Sequence, residues 1–299
     1  MSIIDFDSGN AKNKKNKATD TSDAYYQDLF RQFQDSIFDD SYEEDDEEKV
    51  YDYLEQAEHA STDTQAEKYI KKALAINPDN VDALLAQAKL TSKSDEDYLK
   101  KLEKIIANTQ EQLKQQGYFN DEYIGDFWAI YETRSYLNAK YEYVALLMNC
   151  TMMSKAKAEC EDILRLCEND NLGIRYFLMH IYTHFEDEKK ALELFKKYDK
   201  EKTTGFLLPL SALYYKLGNF KKSADYLKKL KEVNSDTLAY FYSMASGRHE
   251  KITKYFNPYG YKAGSMEEFA VITAENIHVY SPMISYFDWA FNKLSKMRD

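Results

Sequence analysis

The segment Ala66-Glu-Lys-Tyr-Ile-Lys-Lys-Ala73-Leu-Ala-Ile-Asn-Pro78-Asp-Asn carries the clearest structural signal in this sequence. Ala66 and Ala73 stand seven residues apart, which places them on one face of a helix. Small side chains at such positions let a second helix approach, since larger ones would push the two helices apart. Pro78 cannot continue a helix. The segment therefore predicts a helix that ends before Pro78 and packs closely against a neighbour.

Three later segments carry the same pattern with a small residue at a constant phase. Ala156, Ala191 and Ser223 occupy equivalent positions, at spacings of 35 and 32 residues. Each such unit leaves an apolar face that only a neighbouring unit can cover, so the units must stack. The scarcity of turn residues, with 9 Gly and 4 Pro, also argues against a sheet-rich fold. We expect an all-α solenoid of antiparallel helix pairs with C-terminal capping helices.

The same periodicity divides the chain into segments. We predict a disordered tail (1–23), an N-terminal helix with an acidic linker (24–48), and a single helical repeat domain (49–297). Within that domain the predicted repeats are 49–79, a degenerate unit 80–116, 137–170, 171–203 and 204–235, followed by a cap over 236–297. The degenerate unit is interpreted as having a longer second helix. The acidic run that ends at Glu48 is either a charged helix start and linker or a patch for a basic partner.

Two features predict the structure of the C-terminal cap. Ser265-Met-Glu-Glu268 has the spacing of a helix capping box, and Asn257-Pro-Tyr-Gly260 is a turn cluster. Trp289 and Phe291 are predicted to cover the last apolar face. A solenoid needs such a cap for solubility.

Composition and charge exclude several classes of function. The net charge of −11 disfavours binding to nucleic acid, and no apolar run reaches the ~20 residues of a membrane span. The charged N-terminus is not followed by an apolar run, so no signal peptide is predicted. The three cysteines, Cys150, Cys160 and Cys167, are an odd number and fit a reducing cytoplasm. Cys160 and Cys167 are expected to pack in the core.

No motif of a catalytic or cofactor site is present. The sequence lacks the GxxxxGK[ST] and GxGxxG phosphate loops and the GxSxG nucleophile elbow. His180 and His184 lie four residues apart on one helix, a spacing that can hold a metal, but no HExxH glutamate lies between them. We therefore predict a protein that is not an enzyme and has neither a cofactor nor a metal.

The positions of Ala66, Ala73 and Pro78 resemble those of the second helix of a tetratricopeptide repeat (TPR). The phrase Leu164-Arg-Leu-Cys-Glu-Asn-Asp-Asn-Leu-Gly173-Ile-Arg-Tyr176 looks like one found in TPR proteins related to the suppressor-of-tumorigenicity group and their bacterial relatives. The tail Gly264-Ser-Met-Glu-Glu-Phe-Ala270, with Trp289, is also similar to the close of those bacterial proteins. The resemblance covers about the last half of the chain. It implies a helical repeat fold and little about activity.

In TPR arrays the first helix of each unit lines a concave face where partner peptides bind. Carried over to this chain, the resemblance implies the following partner-binding residues: Tyr141, Met148, Tyr176, Phe177, His180, His184, Tyr215 and Lys216. The carboxylate clamp of chaperone-binding TPRs uses Lys, Asn and Arg. The aligned positions here are Tyr141, Ala145, Phe177, Gly205 and Pro209, so that clamp is absent.

The resulting hypothesis is a cytosolic adaptor or regulator that binds a protein or peptide on its concave face. Two alternatives stay open. One is a structural or self-assembling helical scaffold, and the other is an enzyme whose site is dispersed over the repeats.

Overall fold

The structure is a computed structural model that describes residues 45–198, 202–257 and 260–297. The predicted tail (1–23), most of the segment 24–48, and Pro258 and Tyr259 of the predicted turn lie outside the described residues. The chain divides into two compact units, residues 1–49 and 50–299. In the first unit, the Glu48 amide donates a hydrogen bond of 2.8 Å to the Asp45 carboxylate at the start of a helix. The end of the acidic run is therefore a charged helix start.

The described residues are all-α, with isolated bridges at Gly125 and Asp126 but no strand. Fifteen helices lie within them in this order: α1 (Asp46–Glu58), α2 (Asp63–Ile76), α3 (Val81–Thr91), α4 (Asp95–Gln115), α5 (Tyr131–Asn149), α6 (Met153–Leu166), α7 (Ile174–Phe185), α8 (Glu188–Tyr198), α9 (Thr204–Lys216), α10 (Phe220–Val233), α11 (Thr237–Ala245), α12 (Glu250–Thr253), α13 (Met266–Glu275), α14 (Ile277–Tyr280) and α15 (Ile284–Leu294).

Helices of the second unit pack in adjacent pairs, as the repeat pattern predicts. Of the predicted small positions, Ala73, Ala156, Ala191 and Ser223 are fully buried where the helices meet, whereas Ala66 is only partly buried. Helices α9 and α10 have the most extensive contact of any helix pair among the described residues. There the Ser223 hydroxyl donates to the Ser211 carbonyl at 2.8 Å, and the Ser211 hydroxyl donates to the Ser223 carbonyl at 3.1 Å. Small side chains thus permit both close packing and a reciprocal pair of hydrogen bonds.

First helices of successive pairs also contact each other, since α3 packs on α5 and α7 packs on α9. Helix α4, at 21 residues, is the long second helix predicted for the degenerate unit. Cys160 and Cys167 are buried in the main hydrophobic core, which confirms their predicted packing role. Lys140 is also buried, and its ammonium group pairs with Glu159 and, at 2.9 Å, with Asp162. This pairing satisfies a charge that would otherwise be costly to bury.

The C-terminal cap differs from the sequence expectation in one local detail. Ser265 makes no side-chain cap of α13, and its hydroxyl donates instead to the Lys262 carbonyl. Glu268 is buried and accepts from the Gly264 amide at 2.8 Å and from the Thr204 hydroxyl at 2.7 Å. The predicted capping box is therefore wrong, because the Glu268 carboxylate accepts from Thr204 of α9 and from Gly264 and not from the Ser265 amide.

The cap also reaches further than the last helix pair. Helix α11 packs on α15, while α13 contacts α9 and α14 contacts α7. Trp289 packs against the rings of Tyr215 and Phe220, at centroid distances of 5.3 and 5.7 Å. We call Met266–Leu294 the cap segment. Within the described part of the chain, no helix is long and apolar enough to cross a bilayer.

Candidate functional site

Three of the predicted partner-binding residues, His180, His184 and Tyr215, contact side chains of the cap segment and do not line an open groove. The His180 imidazole is fully buried, with Nε2 2.8 Å from the Tyr280 hydroxyl and Nδ1 2.7 Å from the Tyr176 carbonyl. A carbonyl only accepts, so Nδ1–H donates to it and Nε2 accepts from Tyr280. Burial lowers the pKa of His180 to about 3, which keeps the ring neutral. His180 is thus a structural residue in the core.

Two further predicted residues are also in the core. Met148 is 2% exposed and Phe177 is 8% exposed, and both belong to the main hydrophobic cluster. They were placed on the concave face by their position in the repeat. The close packing of α5 and α7 against their neighbours buries them instead. The prediction that these two side chains contact a partner at the free surface is wrong.

The two predicted residues of α9, Tyr215 and Lys216, make their contacts within the chain. The Tyr215 ring lies among those of Phe220, Tyr286 and Trp289, at centroid distances of 5.3 to 5.5 Å. The Lys216 ammonium group donates to the carbonyls of Thr183 and His184, at 2.9 Å each. It therefore caps the C-terminal end of α7, where cations are favoured.

His184 is exposed, and its ring lies 6.1 Å from that of His278 in the cap segment. Burial, with a smaller contribution from His184, lowers the pKa of His278 to about 4. No group of three or more metal-binding side chains is found in the described ranges. The His180 and His184 pair thus faces the cap segment, with His180 already hydrogen-bonded at both ring nitrogens.

Tyr176 packs on a second face of the repeat. Its ring lies 5.3 Å from that of Phe206, and the Arg175 guanidinium sits 4.4 Å above it. Tyr176 and Phe206 line a cleft of about 460 Å³ together with Arg175 and Tyr198. Tyr176 and Tyr141, which the repeat pattern predicts on one concave face, therefore line different cavities.

Tyr141 is the predicted residue that lines an open groove. This N-terminal groove has a volume of about 790 Å³ and is built by α1, α2, α3 and α5. Its lining residues are Leu54, Ala57, Glu58, Asp63, Ala66, Ile70, Asp82, Leu85, Ala86, Lys89, Leu90, Asn138, Tyr141 and Glu142. The Tyr141 ring is held in place by the Phe177 ring, at a centroid distance of 5.6 Å.

The lining follows helical periodicity on three first helices. On α3 the groove residues are Asp82, Leu85, Ala86 and Lys89, which recur at i, i+3, i+4 and i+7. Helices α1 and α5 contribute shorter stripes of the same kind. The groove residues of α3 are absent from the predicted site because α3 lies in the unit with the degenerate repeat pattern. The repeated stripe on first helices was the signal that could have revealed it.

Carboxylates dominate the charge of the groove. Glu58, Asp63, Asp82 and Glu142 line it, against the single cation Lys89. Asp82 accepts from the Ser135 hydroxyl at 2.7 Å. Burial, with the hydrogen bond to Glu142, raises the pKa of Tyr98 to about 12, so Tyr98 stays a neutral donor to that carboxylate. Two of the four acidic groups are therefore fixed in position before any partner binds.

Comparisons with known proteins add no family assignment. No protein-family model matches this chain, and a search of curated proteins finds no match.

Proposed function

We propose that this protein is a non-enzymatic interaction module that binds a basic, amphipathic segment of a partner protein in the N-terminal groove. The observation that carries the proposal is the combination of an apolar floor with four carboxylates in one groove of about 790 Å³. A partner helix with one apolar face and flanking Lys or Arg residues complements both features.

The apolar part of the groove supplies anchoring contacts. Leu54, Leu85, Leu90 and Tyr141 are half-buried, so each presents apolar surface to the groove while its other side packs in the protein. Burying such surface drives association, and large side chains in fixed positions contribute most of the binding energy. Tyr141 loses little conformational freedom on binding, because Phe177 already restricts its ring.

The acidic part sets the choice of partner. Four carboxylates against one ammonium group repel an acidic segment and attract a basic one. Asp82 and Glu142 are oriented by Ser135 and Tyr98 and need little reorganisation when a cation arrives. We expect the interaction to weaken with added salt, since the carboxylates lie at a solvent-open surface.

We further propose that the helix pairs are TPR units and that the protein acts in a reducing, cytoplasmic compartment. The buried small positions Ala73, Ala156, Ala191 and Ser223 and the use of first helices to line the groove support the first proposal. The free thiols Cys150, Cys160 and Cys167 support the second. A binding role is favoured over an enzymatic one because the groove is open and lined mainly by apolar side chains, as a partner helix requires.

Two synthetic peptides test the proposal. Both are about 18 residues long, so that a helix can form, and share one leucine stripe; the polar positions are Lys in one and Glu in the other. We expect the Lys peptide to bind in fluorescence anisotropy and to dissociate as salt is raised. The double variant Glu58→Lys/Glu142→Lys should reverse the preference.

A matched control carries the same change in net charge elsewhere. Glu193→Lys/Asp225→Lys alters two exposed residues of α8 and α10 and should leave the preference for the Lys peptide intact. Tyr141→Ala should weaken binding of the Lys peptide without reversing the preference. Equal binding of both peptides, or an equal effect of the control variant, would refute the proposal.

A further inference from the structure

A third cavity lies among the C-terminal helices of the second unit, away from the N-terminal groove. It has a volume of about 540 Å³ and is enclosed by residues of α11 to α15 and the segments that flank them. Its floor includes Met244, Ile252, Ala270 and Phe287, all buried. The volume is within the range of small-molecule sites, about 300–1,000 Å³. We call this space the C-terminal cavity.

The polar atoms closest to its floor are already satisfied elsewhere. Tyr280 lines the cavity, but its hydroxyl donates to His180. Thr273 also lines it, and its hydroxyl lies 2.9 Å from that of Tyr240. The inner walls therefore present hydrocarbon rather than free hydrogen-bonding groups. A ligand that fills this part gains from apolar burial and needs no polar group there.

Large apolar side chains also surround the mouth. Phe256, Ile277 and Ile284 line the cavity and are 46%, 53% and 67% exposed. Three such residues at one opening form an apolar patch that is continuous with the interior. A patch of this kind marks a binding site more often than it marks an ordinary surface.

The lining of the C-terminal cavity lacks the acidic side chains of the N-terminal groove. Among the described residues, no carboxylate lines the C-terminal cavity, although the whole chain carries a net charge of −11. His249 and Thr253 line it on the α12 side. Arg248, Lys251 and Lys254 are exposed within or beside α12, where Glu250 is the single acidic residue of 248–254. Arg248 and Lys254 are the chain neighbours of the lining residues His249 and Thr253, so the net positive charge of this segment favours an anionic group beside it.

We infer that the C-terminal cavity binds the alkyl chain of an anionic single-chain amphiphile, of which a fatty acid is the simplest member. The chain fills the apolar interior, and the carboxylate stays at the α12 edge near His249 and Thr253. Because residues of five helices, α11 to α15, line the cavity, one alkyl chain fits it better than a partner helix does. A partner helix needs an open groove such as the N-terminal groove. This ligand site is independent of the proposed protein-binding function.

Calorimetric titration of the full chain with octanoate, decanoate and dodecanoate, each below its micelle-forming concentration, tests the inference. We expect one saturable site whose Kd tightens about fourfold for each added methylene, since each buried methylene contributes a constant transfer free energy. Decyltrimethylammonium should bind more weakly than decanoate. A Kd independent of chain length, equal binding of the two head groups, or the absence of saturable binding would overturn the inference.

Variants locate the ligand. Ala274 is exposed at the mouth, and Ala274→Phe should weaken dodecanoate binding by about four- to sixteenfold, the loss of one or two buried methylenes. Ala86→Phe, the matched change in the N-terminal groove, should leave it within about twofold. If Ala274→Phe impairs folding, Ile277→Glu at an exposed position places a carboxylate at the mouth and should also weaken dodecanoate binding.

Self-association is the competing use of the same patch. Analytical ultracentrifugation that showed a dimer broken by Ile284→Glu, with no dodecanoate binding to either form, would replace the ligand with a second copy of the chain. We expect instead that Ile284→Glu weakens dodecanoate binding without changing the sedimentation coefficient.

Discussion

The Tyr280 hydroxyl donates a hydrogen bond to Nε2 of His180, across 100 residues of sequence and a distance of 2.8 Å. This bond joins α14 of the cap segment to α7, the first helix of a repeat. The same imidazole donates through Nδ1 to the Tyr176 carbonyl, so both ring nitrogens are satisfied in the neutral state. Through this bond the cap segment covers the part of α7 around His180 that the repeat pattern predicts to bind a partner.

Acid should weaken the contact between α7 and the cap segment and lower the unfolding free energy. Burial lowers the pKa of His180 to about 3 and that of His278 to about 4, against about 6.5 in an unfolded chain. Below pH 6.5 the unfolded state therefore binds more protons, and the stabilisation that is complete above pH 6.5 is lost as the pH falls. For His180 the loss at pH 5 is up to about 2 kcal/mol. Urea unfolding at pH 7 and pH 5 measures it.

The contribution of these histidines must be separated from that of carboxylates. His180→Gln and His278→Gln should each flatten the dependence of unfolding free energy on pH between 7 and 5. His59→Gln, which changes an exposed histidine, serves as the control. If neither His180→Gln nor His278→Gln changed the slope of unfolding free energy against pH, the assigned pKa shifts would be contradicted.

The His180–Tyr280 bond should also show as energetic coupling. Tyr280→Phe leaves Nε2 of His180 buried without a donor and should lower the unfolding free energy by about 1–3 kcal/mol. His180→Phe leaves the Tyr280 hydroxyl without a partner and should cost a similar amount. The double variant should cost less than the sum of the two, as measured in a double-mutant cycle by urea denaturation. Additive losses would show that the two side chains are not coupled.

Gly205 in α9 should not tolerate alanine. A Cβ atom there would lie 2.6 Å from Cδ1 of Tyr176, whose ring is held between Arg175 and Phe206. Alanine is favoured over glycine in a helix by about 1 kcal/mol, but overpacking costs about 1–3 kcal/mol. We expect Gly205→Ala to destabilise the protein, with a lower thermal midpoint.

A protein that lacks the Tyr176 ring shows whether the clash with this ring causes the loss of stability in Gly205→Ala. In a Tyr176→Ala protein, Gly205→Ala should become neutral or stabilising, because the ring is gone and only the helix propensity remains. A loss of stability that persisted in this background would point to a different origin.

The small-residue positions of the repeats predict a similar penalty. Ala191 is fully buried between packed helices, so Ala191→Leu should lower the unfolding free energy by about 1–3 kcal/mol. Glu193→Leu, two residues along the same helix and exposed, should change it by less than about 0.5 kcal/mol. Equal tolerance at both positions would show that Ala191 does not set the distance between the helices.

Much of the fold was determined by sequence alone. The phase of Ala156, Ala191 and Ser223 and the apolar periodicity around them predicted stacked helix pairs. The structure shows those side chains buried at helix contacts. This information is local: a residue type repeated at helical spacing specifies a face wherever the helix later packs. The absence of an HExxH motif is also established by the sequence, since the motif consists of five consecutive residues.

Tertiary structure decided which first-helix faces stay open. A stripe such as Tyr176, His180 and His184 looks the same in sequence whether a partner or the chain's own cap covers it. Only contacts between residues some 100 positions apart, such as His180 with Tyr280, close that face. Another long-range contact, between Thr204 and Glu268, replaces the cap that the local sequence predicts, while Tyr141 lines the open acidic groove of α1, α2, α3 and α5. Local periodicity fixes faces, but the free energy of burying them depends on partners that the periodicity does not specify.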